Sequence, residues 1–344
     1  MYRNCENFLL FLLMDGKIGL EFARKDFRFM EFLRFLESIR TPVGDVLMSL
    51  ITLFGEETLF MVLALVFFWC VDKRRGYYLL FTGFTGLISV QFLKMSFRIP
   101  RPQVIDPNFT IVESAREAAT GYSFPSGHTQ CASALWGGIA RSAKKRALQI
   151  GGVVLALLVG FSRMYLGVHT PKDVLVSLGI AAVVVLGLYY VVYLGYDKPK
   201  RMYIACGVLL ALALANLLFV MLYQFPANTD PVNLADGQKV AWQMFFLALG
   251  LCILYVADTK WIHFETDAVW WAQLLKLAIG IGLVLAVRVL LKAPLNALLG
   301  VNLGAGIRYF LIVIVAGILW PMTFKFWSKV GKGEKIEKIE KQRK

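Results

Sequence analysis

The sequence is poor in the side chains that bind metals, form disulfides or cover a water-exposed surface. It has three histidines and five cysteines, and 17% of its 344 residues are charged. The cysteines are scattered singly, without a CxxC pair, which predicts free thiols and neither a disulfide framework nor a zinc site. Because so few charges accompany 58% hydrophobic residues, a single soluble domain is excluded as well.

Apolar segments that approach the length needed to cross a hydrocarbon core of roughly 30 Å recur along nearly the whole chain. They predict an all-α fold, a polytopic membrane helical bundle whose solvent is lipid. The first segment is the least certain because it carries several charged side chains, so nine or ten crossings are expected. The predicted spans are 30–54, 56–71, 77–97, 127–141, 147–166, 172–195, 202–223, 240–257, 269–291 and 306–327.

The formal net charge of +14 raises the alternative of a nucleic-acid partner. The excess lysines and arginines, however, lie in short loops between spans and in the C-terminal tail. This distribution is typical of the cytoplasmic loops of membrane proteins, so we expect no nucleic acid among the partners. The loops at 101–124, 163–170 and 224–239 are then predicted to face the opposite side of the membrane.

The third predicted span ends in LKMSFRIPRP and carries two cations on this opposite side. Lys94 and Arg101 are seven residues apart, about two helical turns, which predicts that both reach the same side of the membrane surface. Had the pair stood alone, two basic residues snorkelling at a helix end would be the preferred interpretation.

The tetrapeptide PSGH, residues 125–128, stands at the predicted start of the fourth span. Ser126 is of a type that caps helices, and Gly127 lets a ligand approach unpaired backbone N–H groups, which attract anions. His128 lies at the mouth of the same helix. Taken alone, a serine cap beside an incidental interfacial histidine would explain the tetrapeptide about as well.

The fifth span ends in FSRMYLGVHTPKDVLVS, which places Arg163, His169 and Asp173 in the same layer. Thr170 and Pro171 predict an N-cap and a first helical residue, so Asp173 falls at the third helical position. A purely structural Asp173 would only favour the helix start. In the functional interpretation it accepts a hydrogen bond from His169 and raises the basicity of the other ring nitrogen.

Three consecutive helix ends thus gather cations, two histidines, a serine cap and one carboxylate. A phosphoryl group spreads its transition-state charge over three oxygens, which such cations and N–H groups can hold. His169 suits the nucleophile, and His128 suits the acid that protonates the departing oxygen. The carboxylates are too few for Mg²⁺ or Zn²⁺, so we expect no metal and no cofactor.

The motifs K-x6-R-P at 94–102, P-S-G-H at 125–128 and S-R-x5-H-x3-D at 162–173 resemble the three signatures of the type 2 phosphatidic acid phosphatase (PAP2) superfamily. Every signature position is present. The resemblance implies a set of phosphate-binding residues, namely Lys94, Arg101, Ser126, Gly127 and Arg163. It also implies the catalytic residues, which are His169 as the phosphohistidine, Asp173 as its support and His128 as the acid.

The same resemblance implies a six-helix core, to which about four additional transmembrane helices are appended. We expect an N-terminal interfacial segment at 1–27, a catalytic transmembrane core at 28–196, accessory helices at 197–327 and a basic cytoplasmic tail at 328–344. Like bacterial membrane members of the superfamily, the protein would lie in the plasma (cytoplasmic) membrane. Its active site would face the extracytoplasmic side.

The function implied is that of an integral membrane phosphatase that hydrolyses a lipid phosphate monoester or pyrophosphate. Its partners would be the membrane lipid bilayer and the phosphorylated lipid substrate. A phosphotransferase that passes the phosphoryl group to a lipid or sugar hydroxyl would use the same residues. A transporter or scaffold that only binds phosphate is the alternative outside enzymes, although binding alone requires neither a nucleophile nor an acid.

Cations also occur in the accessory helices. Arg288, Lys292 and Arg308 are predicted to lie near the same membrane surface as the motifs, and intramembrane charge is costly enough to suggest a role. One hypothesis is that they hold the second phosphate of a diphosphate. Snorkelling towards the interface is the alternative explanation.

Overall fold

The computed structural model describes residues 29–330, which form helices and no strand. The predicted all-α class is therefore confirmed, while the segment 1–27 and most of the tail at 328–344 lie outside the described residues. The helices are α1 (29–38), α2 (Pro42–Thr52), α3 (Glu57–Val66), α4 (Lys73–Phe97), α5 (Gly127–Ala132), α6 (Arg146–Tyr165), α7 (Pro171–Leu188), α8 (Pro199–Leu222), α9 (Pro231–Ala257), α10 (Trp270–Leu290) and α11 (Lys292–Ile314).

The number of candidate crossings is smaller than predicted. Within the described residues, seven helices are long and apolar enough to cross a membrane, or eight if α2 and α3, bent by 49° at their junction, form one broken span. The polytopic class is confirmed, but the count of nine or ten is not. One reason is that α5, continued by Ser133–Gly137 and Gly138–Ser142, rises only about 24 Å at 1.5 Å per residue.

The predicted first span, 30–54, consists of two separate helices. Its charged half is α1, whose side chains bind the loop between α4 and α5. Arg34 Nη2 donates to Asp106 Oδ2 at 2.5 Å, and Arg40 Nη1 donates to the Thr110 carbonyl oxygen at 2.7 Å. The charges that made this span uncertain therefore anchor a loop, and the apolar stretch begins again in α2.

Large apolar side chains of the long helices are exposed at the protein surface. On α7, for example, Val183 is 74% exposed and Leu175 is 64% exposed. Leaving apolar surface in water costs roughly 25 cal/mol per Å², so a row of such side chains indicates that lipid surrounds the helix. This agrees with the multi-pass membrane class.

The described chain divides into two compact units, each assembled from separated stretches of sequence. The first unit comprises 29–59, 86–185 and 219–237, and the second comprises 60–85, 186–218 and 238–330. All three sequence motifs belong to the first unit.

An apolar cluster in the first unit supports the link between α6 and α7, which carries His169. It combines side chains of α1, of the loop before α5 and of the link itself. Its buried members are Met30, Leu33, Leu36, Phe109, Ile111, Ala115, Tyr165, Leu166 and Val168. Packing of this kind fixes the backbone on which the histidine is carried.

Candidate active site

Lys94 lies in the last turn of α4, whereas Arg101 follows the helix beyond its end at Phe97. The helix stops before Arg98, which adopts a left-handed backbone conformation (φ 50°), and Pro100 follows it. The expected spacing of two helical turns is therefore wrong. Lys94 Nζ nevertheless donates to the Tyr122 carbonyl oxygen at 3.0 Å, and Arg101 binds the same loop segment.

The Arg101 guanidinium is buried and held by backbone carbonyl oxygens. Its Nε lies 3.2 Å from the oxygens of both Thr120 and Gly121, and its Nη1 donates to the Val168 oxygen at 3.1 Å. The same Nη1 is 3.4 Å from His169 Nε2. Carbonyl oxygens, which are neutral acceptors, orient the guanidinium, and its positive charge lies beside the imidazole.

Ser126 caps α5, as the PSGH motif predicted. Its hydroxyl oxygen accepts from Thr129 Oγ1 at 2.9 Å and from the Thr129 N–H at 3.4 Å. A Cβ built on Gly127 would meet no heavy atom within 4 Å. The start of α5 therefore borders open space where a ligand can approach the backbone.

His169 and Asp173 face each other, with the Ser123 hydroxyl beside them. His169 Nδ1 is 3.5 Å from Asp173 Oδ2, longer than an ordinary hydrogen bond. The same carboxylate oxygen accepts from Ser123 Oγ at 2.6 Å and from the Thr170 N–H at 2.8 Å, and Ser123 Oγ is 3.4 Å from His169 Nδ1. The direct bond expected from the sequence is thus replaced by a three-member arrangement.

Thr170 and Asp173 form the helix start that the sequence predicted for α7. The Asp173 N–H donates to Thr170 Oγ1 at 3.4 Å, while the Thr170 N–H donates back to the carboxylate. This reciprocal capping fixes the carboxylate next to the imidazole. Asp173 therefore stabilises the start of α7 and lies beside the imidazole.

Arg163 is 1% exposed and only partly satisfied. Its Nη1 donates to Thr52 Oγ1 at 2.8 Å. Its Nε and Nη2 are buried and have no hydrogen-bond partner. A buried, unpaired guanidinium is costly, and an anion in contact with these two nitrogens would satisfy them.

His128 contacts a carboxylate that was not among the predicted site residues. Its Nε2 lies 2.9 Å from Glu56 Oε1, at the junction of α2 and α3. The side chain of His128 is 19% exposed and that of Glu56 is 39% exposed. The pair therefore connects the interior of the first unit with its surface.

The pKa of His169 depends on the charged groups described above. Burial lowers the pKa of the His169 imidazole well below its usual value, and the positive charges of Arg101, Arg163, Lys94 and His128 lower it further. Such an effect requires that these cations lie close to the ring. The His169 ring is therefore neutral near pH 7 and carries a free electron pair.

The sequence did not predict the contacts of three residues, which are Thr52, Glu56 and Ser123. The segment GEE at 55–57 is a short polar gap between two apolar runs, which is the signal that could have drawn attention to Glu56. Ser123 stands just before PSGH. Thr52 gave no signal, because a threonine in an apolar helix is unremarkable on its own.

The accessory cations Arg288, Lys292 and Arg308 belong to the second unit. Arg288 and Lys292 are exposed. Arg308 is 8% exposed, and its Nε and Nη1 have no hydrogen-bond partner. The hypothesis of a second phosphate at these residues stays a prediction.

No group of three or more histidine, cysteine, aspartate or glutamate side chains within residues 29–330 is arranged to hold a metal ion. The described cysteines, Cys70, Cys131, Cys206 and Cys252, are free thiols.

Two family models match the chain. Residues 75–196 match the PAP2 superfamily, and residues 242–331 match the transmembrane extension of PAP2 superfamily phosphatases. No solved structure matches the chain.

Curated relatives agree with the family models. The chain is 32% identical to undecaprenyl-diphosphatase BcrC of Bacillus subtilis over 149 residues, 43% of this chain and 74% of the relative. It is 29% identical to a probable sphingosine-1-phosphate phosphatase of Dictyostelium discoideum, over 45% of this chain and 40% of the relative. It is 26% identical to an undecaprenyl-diphosphatase of Sulfolobus acidocaldarius, over 48% of this chain and 80% of the relative.

The chain belongs to the PAP2 superfamily, as its motifs indicated, and is a multi-pass membrane phosphatase of that family.

Proposed function

We propose that this protein hydrolyses a lipid phosphate monoester or diphosphate through a phosphohistidine on His169, without a metal ion. The catalytic groups are His169, His128 and Asp173. The phosphate is held by Lys94, Arg101, Ser126, Gly127 and Arg163. Residues 28–196 carry the chemistry, and 197–327 are accessory.

The proposal depends mainly on one observation, that a buried guanidinium with unsatisfied N–H groups acts on a neutral imidazole. Arg163 offers two buried N–H-bearing atoms, Nε and Nη2, without a partner, and its charge acts on the ring of His169. An anion at this place satisfies the guanidinium and presents its phosphorus to the ring nitrogen. A site for binding alone needs the cation but not the nucleophile.

In the first step, His169 Nε2 attacks phosphorus, and the bond between phosphorus and the leaving oxygen breaks. His128 gives its proton to the leaving oxygen as that bond breaks. Asp173 and the Ser123 hydroxyl hold Nδ1 of His169, so that positive charge forming on the ring is stabilised. The three fixed cations hold the equatorial oxygens of the transferring group.

In the second step, water attacks the phosphohistidine. The neutral His128 now accepts a proton from that water as the new bond to phosphorus forms. The bond between phosphorus and Nε2 breaks, inorganic phosphate leaves, and both histidines return to their starting state. No metal is needed, because the three cations already balance the charge of the transferring group.

The relatives supply the first candidate substrate. Two of them are named undecaprenyl-diphosphatases, so an undecaprenyl diphosphate is the first substrate to test. We place the enzyme in the plasma (cytoplasmic) membrane, with its site open to the extracytoplasmic side, because the basic loops are predicted to be cytoplasmic.

The test is phosphate release by the purified protein in lipid nanodiscs with EDTA present. The panel contains undecaprenyl diphosphate, phosphatidic acid, phosphatidylglycerol phosphate and sphingosine-1-phosphate, with His169→Ala as the negative control. Release that survives EDTA and is lost in the variant supports the proposal. Release that requires an added divalent metal, or that persists in the variant, contradicts it.

The same assay separates the alternatives. A phosphotransferase releases little phosphate until a lipid or sugar hydroxyl is supplied as acceptor. A transporter or scaffold binds the lipid in wild type and in His169→Ala alike and releases no phosphate from either.

A further inference from the structure

The junction between α2 and α3 packs directly on the start of α5. Leu53–Gly55 form a single 3₁₀ turn, after which Glu56 is extended. A Cβ on Gly55 would lie 2.7 Å from the His128 carbonyl oxygen, so glycine permits this close approach. Trp136 Nε1, further along the α5 segment, donates to the Phe54 carbonyl oxygen at 2.9 Å.

This fixed junction supplies contacts to two groups of the proposed active site. Glu56 Oε1 lies 2.9 Å from His128 Nε2, and Thr52 Oγ1 accepts from Arg163 Nη1 at 2.8 Å. None of the three sequence motifs includes these residues. The junction is therefore a fourth segment of the site, contributed by the bent helix pair.

The groups that face His128 come from several elements. They are Glu56 at the junction, Arg163 on α6, Arg101 after α4 and His169 in the α6–α7 link. Burial and the two guanidinium groups oppose a positive charge on the His128 ring, whereas the carboxylate in hydrogen-bond contact favours it, and the pKa of His128 lies below its usual value. Without the carboxylate the pKa would fall further, so the acid form of His128 depends on Glu56.

We propose that Glu56 is a positioning residue for the acid–base step. It binds the Nε2–H of His128 at 2.9 Å and favours the protonated ring, in which Nδ1–H is the group that faces the leaving oxygen. This rests on the proposed function of His128 as the acid.

His128 gives up one proton in the first step of the reaction and regains one in the second. The Nδ1 proton moves to the leaving oxygen as the bond from that oxygen to phosphorus breaks, and His128 becomes neutral with Nε2–H still donating to Glu56. In the hydrolytic step, Nδ1 accepts a proton from the attacking water. The Glu56 carboxylate stays ionised throughout.

The first test compares Glu56→Gln with Glu117→Gln, an identical change at an exposed glutamate in the loop before α5. The pH dependence of kcat/KM is measured with undecaprenyl diphosphate and with phosphatidic acid. Glu56→Gln is expected to move the alkaline limb to lower pH by about one unit and to regain activity as the pH falls. Glu117→Gln and the charge-conserving Glu56→Asp should keep the wild-type limb.

The second test varies the leaving group. 4-Nitrophenyl phosphate needs little protonation of its leaving oxygen, so Glu56→Gln should lose about tenfold on phosphatidic acid and little on the aryl ester. Equal losses on both esters, or an unchanged alkaline limb in folded Glu56→Gln, overturn the proposal. Wild type that is inactive on all substrates contradicts the proposed function instead.

A third measurement does not depend on the folding of any variant. The ¹⁵N chemical shifts of His128 in the wild-type protein report its protonation state. A ring whose Nε2 keeps its proton above and below the midpoint of titration, with the second proton on Nδ1, supports the proposal. A neutral ring whose Nε2 carries no proton contradicts it.

Discussion

The two units of the molecule differ in the partners of their buried carboxylates. In the second unit, Lys73 Nζ is 3.1 Å from the buried carboxylate of Asp258, which also accepts from Tyr77 Oη at 3.0 Å. Lys276 donates to the Thr266 carbonyl oxygen at 3.0 Å and lies 4.4 Å from the centre of the Phe324 ring. Asp258 thus has a direct cationic partner, and removing either member of the pair would leave the other charge without its counter-charge.

In the first unit, the buried cations make their hydrogen bonds to neutral groups and no direct ion pair. Arg101 is held by carbonyl oxygens and Arg163 by one hydroxyl, while Asp173 and Glu56 act on them only electrostatically. The one deeply buried carboxylate there, Asp173, binds a hydroxyl and a backbone N–H next to the imidazole. This is the pattern we expect if these cations serve an anionic ligand. In the second unit, Arg308 likewise has two nitrogens without a partner.

The largest effect is expected for His169→Ala. Removing the nucleophile should reduce phosphate release by at least about 10⁴-fold in protein that is still folded at the assay temperature, although the cavity left by this buried side chain lowers the midpoint of thermal unfolding. Steady-state kinetics and thermal unfolding in nanodiscs check this. A variant with one tenth of wild-type activity would show that another group attacks phosphorus.

The second-largest effect is expected at Arg163, where a substitution should lower activity without lowering stability. Arg163→Met should lower kcat/KM by about 10² to 10³-fold, while the thermal midpoint stays unchanged or rises, because an unpaired buried guanidinium is removed. Loss of stability in parallel with loss of activity would mean that Arg163 serves the fold and not a ligand.

The corresponding change in the second unit neutralises a buried carboxylate. Asp258→Asn leaves Lys73 without its buried counter-charge and should cost about 3–5 kcal/mol of stability, with kcat per folded molecule unchanged. Asp197→Asn, which removes the exposed partner of Arg74, is the matched control and should cost less than about 1 kcal/mol. If Asp258→Asn abolished turnover in folded protein, the contrast between the units would fail.

A smaller effect is expected at Ser123, whose hydroxyl lies beside the Asp173 carboxylate. Ser123→Ala removes the 2.6 Å hydrogen bond to Asp173 and should lower kcat about tenfold, since the carboxylate keeps its bond from the Thr170 N–H. Ser38→Ala, at an exposed serine of α1, serves as control. Wild-type kcat in Ser123→Ala would show that Asp173 needs no hydroxyl to orient the histidine.

The smallest effect concerns pH. Since the folded-state pKa of His169 lies below its unfolded value, its contribution to stability is complete above about pH 6.5 and is lost as the pH falls towards the folded value. Titration of the His169 Cε1 resonance in ligand-free protein should give a midpoint well below 6.5. A midpoint at or above 6.5 would contradict the buried, cation-lined surroundings described here.

Local rules predicted those parts of the site that depend on local geometry. The caps at Ser126 and Thr170 were predictable because capping involves residues three positions apart. The left-handed turn at Arg98 was not, because a left-handed arginine has no local signal. The number of crossings was overestimated because apolar composition does not reveal where a helix is too short or bends.

Contacts between residues that are far apart in the sequence could not be predicted from it. Glu56 and His128 are 72 residues apart, and Thr52 and Arg163 are 111 apart. Such pairs depend on how helices pack, which spacing within one helix does not report. The motif residues were found because resemblance to a family supplies this long-range information, and Glu56 was missed because no motif contains it.

In the proposed mechanism, the buried cations of the first unit hold a phosphoryl group while His169 takes it. The most direct measurement is mass spectrometry of His128→Ala, quenched during turnover of 4-nitrophenyl phosphate, because this variant can still form the intermediate but hydrolyses it slowly. We expect an acid-labile, base-stable phosphate on His169. Turnover without any covalent phosphate, or phosphate on another residue, would contradict it.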